Sequence, residues 1–197
     1  MTTMPLAATR SATGVPTGRL GVWWVLASEI VIFGGLLGAY IMHRIGHPEW
    51  ASQAIHTNMW AGAFNTLVLL SSSLSAVLAH QAAEEGNGRK AARLLLGTVA
   101  GGAVFLIVKS VEWTHEIRSG FTITSNMFWS FYYTAAGLHG LHVLAGMVIM
   151  LFVAAAAARN RNLHHVENVG IYWHFVDIVW IFLFPLLYLL GAHYAAH

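Results

Sequence analysis

Five stretches of this chain are too apolar, for too long, to fold as anything but helices inside a hydrocarbon layer. They run over Leu20–Met42, Gly62–His80, Arg93–Ile117, Asn126–Ala158 and Asn168–His193. A bilayer core of about 30 Å takes roughly 20 residues of helix. Hydrocarbon offers the backbone no water to bond, so each stretch must satisfy its own amides, which helices do and isolated strands do not. The last two stretches are long enough to tilt or protrude. The fold class expected is therefore an all-α membrane protein, a bundle of five transmembrane helices.

Composition agrees. Only 9 % of the 197 residues are charged and 57 % are apolar, where a soluble domain averages about 25 % charged. The formal net charge of +2 is no nucleic-acid footprint, and no nucleic-acid partner is expected. There is no cysteine, which excludes disulfides, zinc–thiolate sites, iron–sulfur clusters and a cysteine nucleophile. The first residues, MTTMPLAATRSATGVPTGR, contain no apolar core of the signal-peptide kind. They read as a flexible tail over residues 1–19, followed by one helical domain over 20–197. There is no internal repeat, and the alanine run at 154–158 suits a helix end.

Basic residues orient the bundle. Arg10, Arg19, Arg89, Lys90, Arg93, Arg159 and Arg161 all fall on one side, against Arg44 and Arg118 on the other. The positive-inside rule then puts the N-terminus in the cytoplasm and the C-terminus outside. Trp23 and Trp24 fall near the inner interface. Trp50, Trp60, Trp113 and Trp129 fall near the outer one, where aromatic belts form. Small residues at Gly34-xxx-Gly38, Gly97-xxx-Gly101, Gly140 and Gly146 permit close helix packing.

Ionisable residues inside a span are functional candidates by default. Glu29 stands nine residues after Leu20, roughly 13 Å deep at about 1.5 Å per residue. Its helical face also carries Val22, Val25, Leu26, Phe33, Leu36 and Tyr40, with Ala27, Gly34 and Gly38 opposite. The expectation is a helix that packs through its small face and turns Glu29 toward a cleft, a second subunit or lipid. Glu29 is then either a proton- or ligand-linked carboxyl or a protonated acid making one interhelical hydrogen bond. In the third stretch, Lys109, Glu112, Trp113 and Glu116 share a broad face. Lys109 and Glu112 at i,i+3 read as a structural pair, with Lys109 snorkelling toward the outer interface. In the fourth, His139 and His142 invite a metal or haem reading; hydrogen bonds across helices are the simpler one. In the fifth, His174 and Asp177 at i,i+3 read as a polar lock or a proton relay. No metal site, phosphate loop or nucleophile–base arrangement is present, and no residue is assigned as catalytic. Residue chemistry alone leaves a transporter, a haem-bearing electron carrier or an accessory subunit.

The strings LASEIVIFGGLLGAY, FNTLVLLSSSLSAVLAH, KSVEWTHEI, FTITSNMFWSFYYTAAGLHGLHVLAG and YWHFVDIVWIFLFPLLYLLG together resemble subunit III of the haem–copper oxidases, in particular cytochrome c oxidase. The resemblance covers residues 20 to 194. It implies a non-catalytic accessory subunit of a proton-pumping oxidase in a bacterial cytoplasmic membrane. Haem and copper would reside in partner subunits, with catalytic subunit I the main contact and subunit II in the same complex. It also implies phospholipids bound in a V-shaped cleft, and support of proton uptake, dioxygen access and durable turnover. On the matching motifs, Glu29 is the carbodiimide-reactive acid of the cleft, and His139, His142, His174 and Asp177 are structural. The loop RNRNLHH aligns loosely with a basic lipid-contacting loop, making Arg159, Arg161, His164 and His165 head-group candidates. Many family members have seven helices; this chain starts at what resembles their third. The equivalent subunit of a quinol oxidase or a nitric-oxide-reductase system is the nearest alternative, and a stand-alone haem b carrier the alternative of another class.

Overall fold

The computed structural model describes residues 17–189. The expected tail lies outside them except for its last three residues, which already belong to the first helix. Six α-helices follow one another: α1 Thr17–Gly46, α2 Trp50–Ala54, α3 Met59–Glu84, α4 Gly88–Arg118, α5 Met127–Ala157 and α6 His164–Phe184. A π-helical turn, Pro185–Leu189, continues α6. All but the short α2 are long and apolar enough to cross a membrane. Among the described residues there is no strand. Helices α1, α3 and α4 overrun the expected spans at both ends, α5 falls just within its own, and polar caps set the N-terminal boundaries of α3, α4 and α5. Asn58, Asn87 and Asn126 each accept a backbone N–H three residues on, from Ala61, Lys90 and Trp129, at 3.1 Å.

Consecutive long helices run in opposite directions. The α3–α4 hairpin turns over Glu85–Asn87, with Gly86 at φ +74°, a conformation glycine adopts without steric cost. The α5–α6 loop lies at the same end, since the Gly88 amide donates to Asn160 Oδ1 at 3.0 Å. Arg19 of α1 pairs there with Glu167 of α6. At the opposite end α2 lies across the bundle, where Asn126 Nδ2 and Trp129 Nε1 both donate to Gln53 Oε1.

Helices α3, α4, α5 and α6 form the body, and α1 leans mainly on α6. Glycine lets the helices close. A Cβ on Gly101 would lie 2.6 Å from Ser72 Cβ, and one on Gly102 would lie 2.8 Å from the Trp173 ring. Trp129, Trp173, Trp180, Tyr132, Tyr188, Phe105 and Phe128 are fully buried. The outside is apolar as well: Trp24, Ile30, Val31, Leu67, Ile107, Phe152 and Phe182 are exposed, as lipid-facing surfaces require. Trp50 and Trp129, expected in an outer belt, are instead interior. They pack with Phe128 because the loops at that end fold over the bundle.

The expected packing face of α1 is corrected. Helix α1 packs through the face of Leu26, Phe33 and Tyr40, which is buried. Gly34 and Gly38 meet nothing within 4 Å. The large side chains won because they supply the dispersion contacts on which helix association in lipid depends. Pro185, lacking an N–H, interrupts the helical ladder, and Tyr40 donates to the Leu186 carbonyl at 2.8 Å.

Candidate functional site: buried polar clusters

The largest polar cluster joins α4, α5 and the π-helical turn. Lys109 Nζ donates to Glu112 Oε2 at 3.2 Å, to the Tyr132 hydroxyl at 3.0 Å and to the Tyr188 hydroxyl at 2.5 Å. Its ammonium also sits within 6 Å of the rings of Trp113 and Trp180, inside cation–π range. The predicted Lys109–Glu112 pair is present. The predicted snorkelling is not: the Lys109 side chain is 7 % exposed. Three acceptors and an aromatic cage on the spot give the ammonium what the interface would otherwise supply. Tyr132 stands 3.0 Å from Glu112 Oε1 and 2.9 Å from Glu116 Oε1, and the Tyr133 hydroxyl donates to the Phe121 carbonyl at 2.8 Å. Sequence reading placed Glu116 on this face but missed Tyr132, Tyr133 and Tyr188. The available signal was three tyrosines in apolar spans, each needing a hydroxyl partner once buried.

The second cluster joins α1 to α5. His142 Nδ1 lies 2.8 Å from the Leu138 carbonyl. A carbonyl only accepts, so Nδ1 carries a proton. His142 Nε2 then faces Glu29 Oε2 at 2.9 Å, with the two side chains 17 % and 14 % exposed. The contact is close enough for an ion pair, although Glu29 Oε2 makes no well-aligned hydrogen bond among the described residues. The Phe33 ring meets the imidazole edge-on at 5.2 Å, and Tyr172 donates to the His142 carbonyl. Glu29 is thus turned inward, correcting the outward placement that followed from packing through the glycine face. Glu29→Gln keeps a polar group against His142, so assembly into the parent complex is expected to survive; a subunit content far below wild type in the purified complex would contradict this pairing.

The other intramembrane candidates have separate neighbours. His139 is fully buried, stacked on Trp180 and edge-on to Phe105. Neither of its nitrogens has a partner among the described residues, which corrects the expected interhelical hydrogen bond. His174 Nδ1 bonds Ser73 Oγ of α3 at 2.5 Å, and Asp177 is buried with neither oxygen bonded among the described residues. The expected His174–Asp177 lock does not form: a residue on a facing helix offers straighter geometry than a neighbour one turn along. Among the described residues, no three His, Asp or Glu side chains are gathered as a metal ion requires.

At the hairpin end, Arg159, Arg161, His164 and His165 are all exposed. Asn160 and Asn162 both take φ of 55°, which Asn tolerates better than most residues. Arg159 and Arg89 line a polar hollow of 520 Å³ above the N-terminus of α4. His165 and Asn168 close one end of an apolar groove of 370 Å³ between α1 and the α5–α6 pair, walled by Val22, Val25, Ile149 and Val153.

Five apolar spans enclose a lysine–glutamate–tyrosine cluster, a Glu29–His142 contact and a His174–Ser73 bond, with His139 and Asp177 buried beside them. The sequence model of the cytochrome c oxidase subunit III family matches residues 8–192. The chain belongs to the cytochrome c oxidase subunit III family. It is 35 % identical over 176 residues to cytochrome c oxidase subunit 3 of Thermostichus vulcanus, covering 87 % of this chain and 86 % of that protein. It is 32 % identical over 194 residues to the subunit 3 of Bacillus sp. strain PS3, covering 96 % and 94 %. The heme-copper oxidase subunit I+III of Aeropyrum pernix is 31 % identical over 183 residues, 87 % of this chain and 22 % of that much longer protein. Every polar cluster described above lies within the matched span. The relatives identify a haem–copper oxidase subunit, and five spanning helices make it a multi-pass membrane protein.

Proposed function

We propose that the chain is the non-catalytic accessory subunit of a proton-pumping cytochrome c oxidase in a bacterial cytoplasmic membrane. It lies against catalytic subunit I, with subunit II in the same complex, and the haems and copper belong to those partners. The observation that carries the reading is the family match over nearly the whole chain. The joined subunit I+III of Aeropyrum pernix supports subunit I as the neighbour. The placement of the histidines supports a chain without a haem of its own: His139, His142 and His174 turn to Trp180, Glu29 and Ser73. Bis-histidine haem ligation needs two imidazoles facing one another.

Orientation follows from charge. Arg19, Arg89, Lys90, Arg93, Arg159 and Arg161 share the hairpin end, while Arg44 and Arg118 belong to the other. That end is cytoplasmic and the C-terminus lies outside. The groove between α1 and α5–α6 suits the acyl chain of a phospholipid, with His165 at its end and Arg159, Arg161 and His164 exposed on the same loop end for its head group. Bound lipid and the Glu29–His142 pair support proton uptake, dioxygen access and stability of the catalytic subunit.

Depleting this chain from the oxidase tests the role. The depleted complex is expected to keep its haem and copper spectra but to slow proton uptake and lose activity in fewer turnovers. An unchanged inactivation curve would overturn the supporting role.

A further inference from the structure

We propose that Glu112 and Glu116 hold one exchangeable proton between them across the Tyr132 hydroxyl, making the Lys109 cluster a proton-storage site. Counting hydrogens leads there. The Lys109 ammonium has three N–H donors and three acceptors at bonding distance, so its donors are spent. Tyr132 has one proton but touches two carboxyl oxygens, Glu112 Oε1 at 3.0 Å and Glu116 Oε1 at 2.9 Å. It donates to one. The other contact sets two acceptors against each other unless that carboxyl carries a proton and donates it back to the Tyr132 oxygen. Tyr133 does not supply the missing hydrogen, because its own goes to the Phe121 carbonyl at 2.8 Å, with Glu116 Oε2 at 3.4 Å. Tyr188, 3.1 Å from the Tyr132 hydroxyl, completes the set of titratable groups inside the cluster.

Charge gives the same count independently. Glu112 and Glu116 are 6 % and 2 % exposed, and among the described residues Lys109 is the cation in contact with Glu112 and bonded to the Tyr132 they share. A second bare carboxylate in that box would be an uncompensated buried charge. One proton on the pair leaves the cluster neutral.

The stored proton has a way in and out. A groove of 450 Å³ has Glu112 and Glu116 in its wall together with His56, Asn58 and His115. His56 and His115 are exposed, and an imidazole exchanges protons with water near neutral pH. The site lies at the end opposite the basic hairpin, away from the Glu29–His142 pair.

The test uses the full chain, labelled with carbon-13 at the glutamate carboxyls, in lipid nanodiscs and carrying Glu29→Gln. Carbon NMR above the ordinary glutamate titration range counts protonated side chains. Glu49, Glu84, Glu85 and Glu167 are solvent-accessible and lie outside the cluster. One glutamic acid signal is expected, lost in both Glu112→Gln and Glu116→Gln, since either leaves a single carboxylate to balance Lys109. The signal should exchange with deuterium, and more slowly in a His56→Ala/His115→Ala chain. No protonated signal, two of them, or one that survives both Gln variants would overturn the proposal. Should the Gln variants not fold, the count in the Glu29→Gln chain decides it: one sustains the proposal, none or two overturns it.

Discussion

Lys109→Ala is expected to destabilise the chain by about 3–5 kcal/mol, the usual cost of removing one partner from a buried ion pair. Among the described residues Lys109 is the only cation paired with Glu112, and it also holds the Tyr132 and Tyr188 hydroxyls. Its loss leaves two carboxyls and two tyrosines in a cavity without a charge to organise them. Because Tyr188 belongs to the turn after Pro185, the damage should spread to the end of α6. Unfolding of the full chain in mixed micelles measures it. Adding Glu112→Gln to Lys109→Ala should recover part of the loss, because the second change removes a charge that the first left unpaired. A Lys109→Ala chain as stable as wild type would show that the cluster contributes nothing to the fold.

Gly101→Leu is the second large effect. The added Cβ would meet Ser72 Cβ at 2.6 Å and the Ser72 Cα at 3.7 Å, so α3 and α4 must move apart. That separation also disturbs Thr98, which donates to the Ser72 carbonyl at 3.2 Å, and Trp173 Nε1, which donates to Ser72 Oγ at 3.0 Å. Overpacking a tight seam costs about 1–3 kcal/mol, and a four-carbon side chain against backbone belongs at the top of that range. Gly34→Leu provides the contrast. Nothing lies within 4 Å of Gly34, so stability of the isolated chain should not change. If the exposed Gly34–Gly38 face meets a partner subunit, only Gly34→Leu should spare the chain yet weaken its hold on the complex. Comparing melting of the isolated chain with subunit content of the purified complex separates the two.

The spans were legible because hydrocarbon enforces a single solution on the backbone, and length plus apolarity reveal it. Helix ends were less so: Asn58 and Asn87 cap α3 and α4 several residues before the apolar runs, while Asn126 caps α5 at the expected start. The polar interior divided along a physical line. Lys109 with Glu112 was readable because both sit on one helix at a fixed spacing. The partners that decide their environment, Tyr132 and Tyr188, come from other helices, and no spacing along the chain records that approach. The same reason explains why His174 chose Ser73 over Asp177. Glu29 was misdirected by taking small residues as the packing face. In α1 the glycines face outward, and Phe33 and Tyr40 make the contacts. The family strings were legible directly, and the comparisons bear them out.

The most direct test of the account is to isolate the complex from its own membrane through a tag on this chain, identify the co-purifying chains and record the visible spectrum before and after the tagged chain is separated. The account predicts that a haem–copper catalytic subunit comes with it, and that the separated chain is colourless while the haem bands stay with the partner. A separated chain that keeps a stoichiometric Soret band, or a pull-down without a haem–copper subunit, would contradict it.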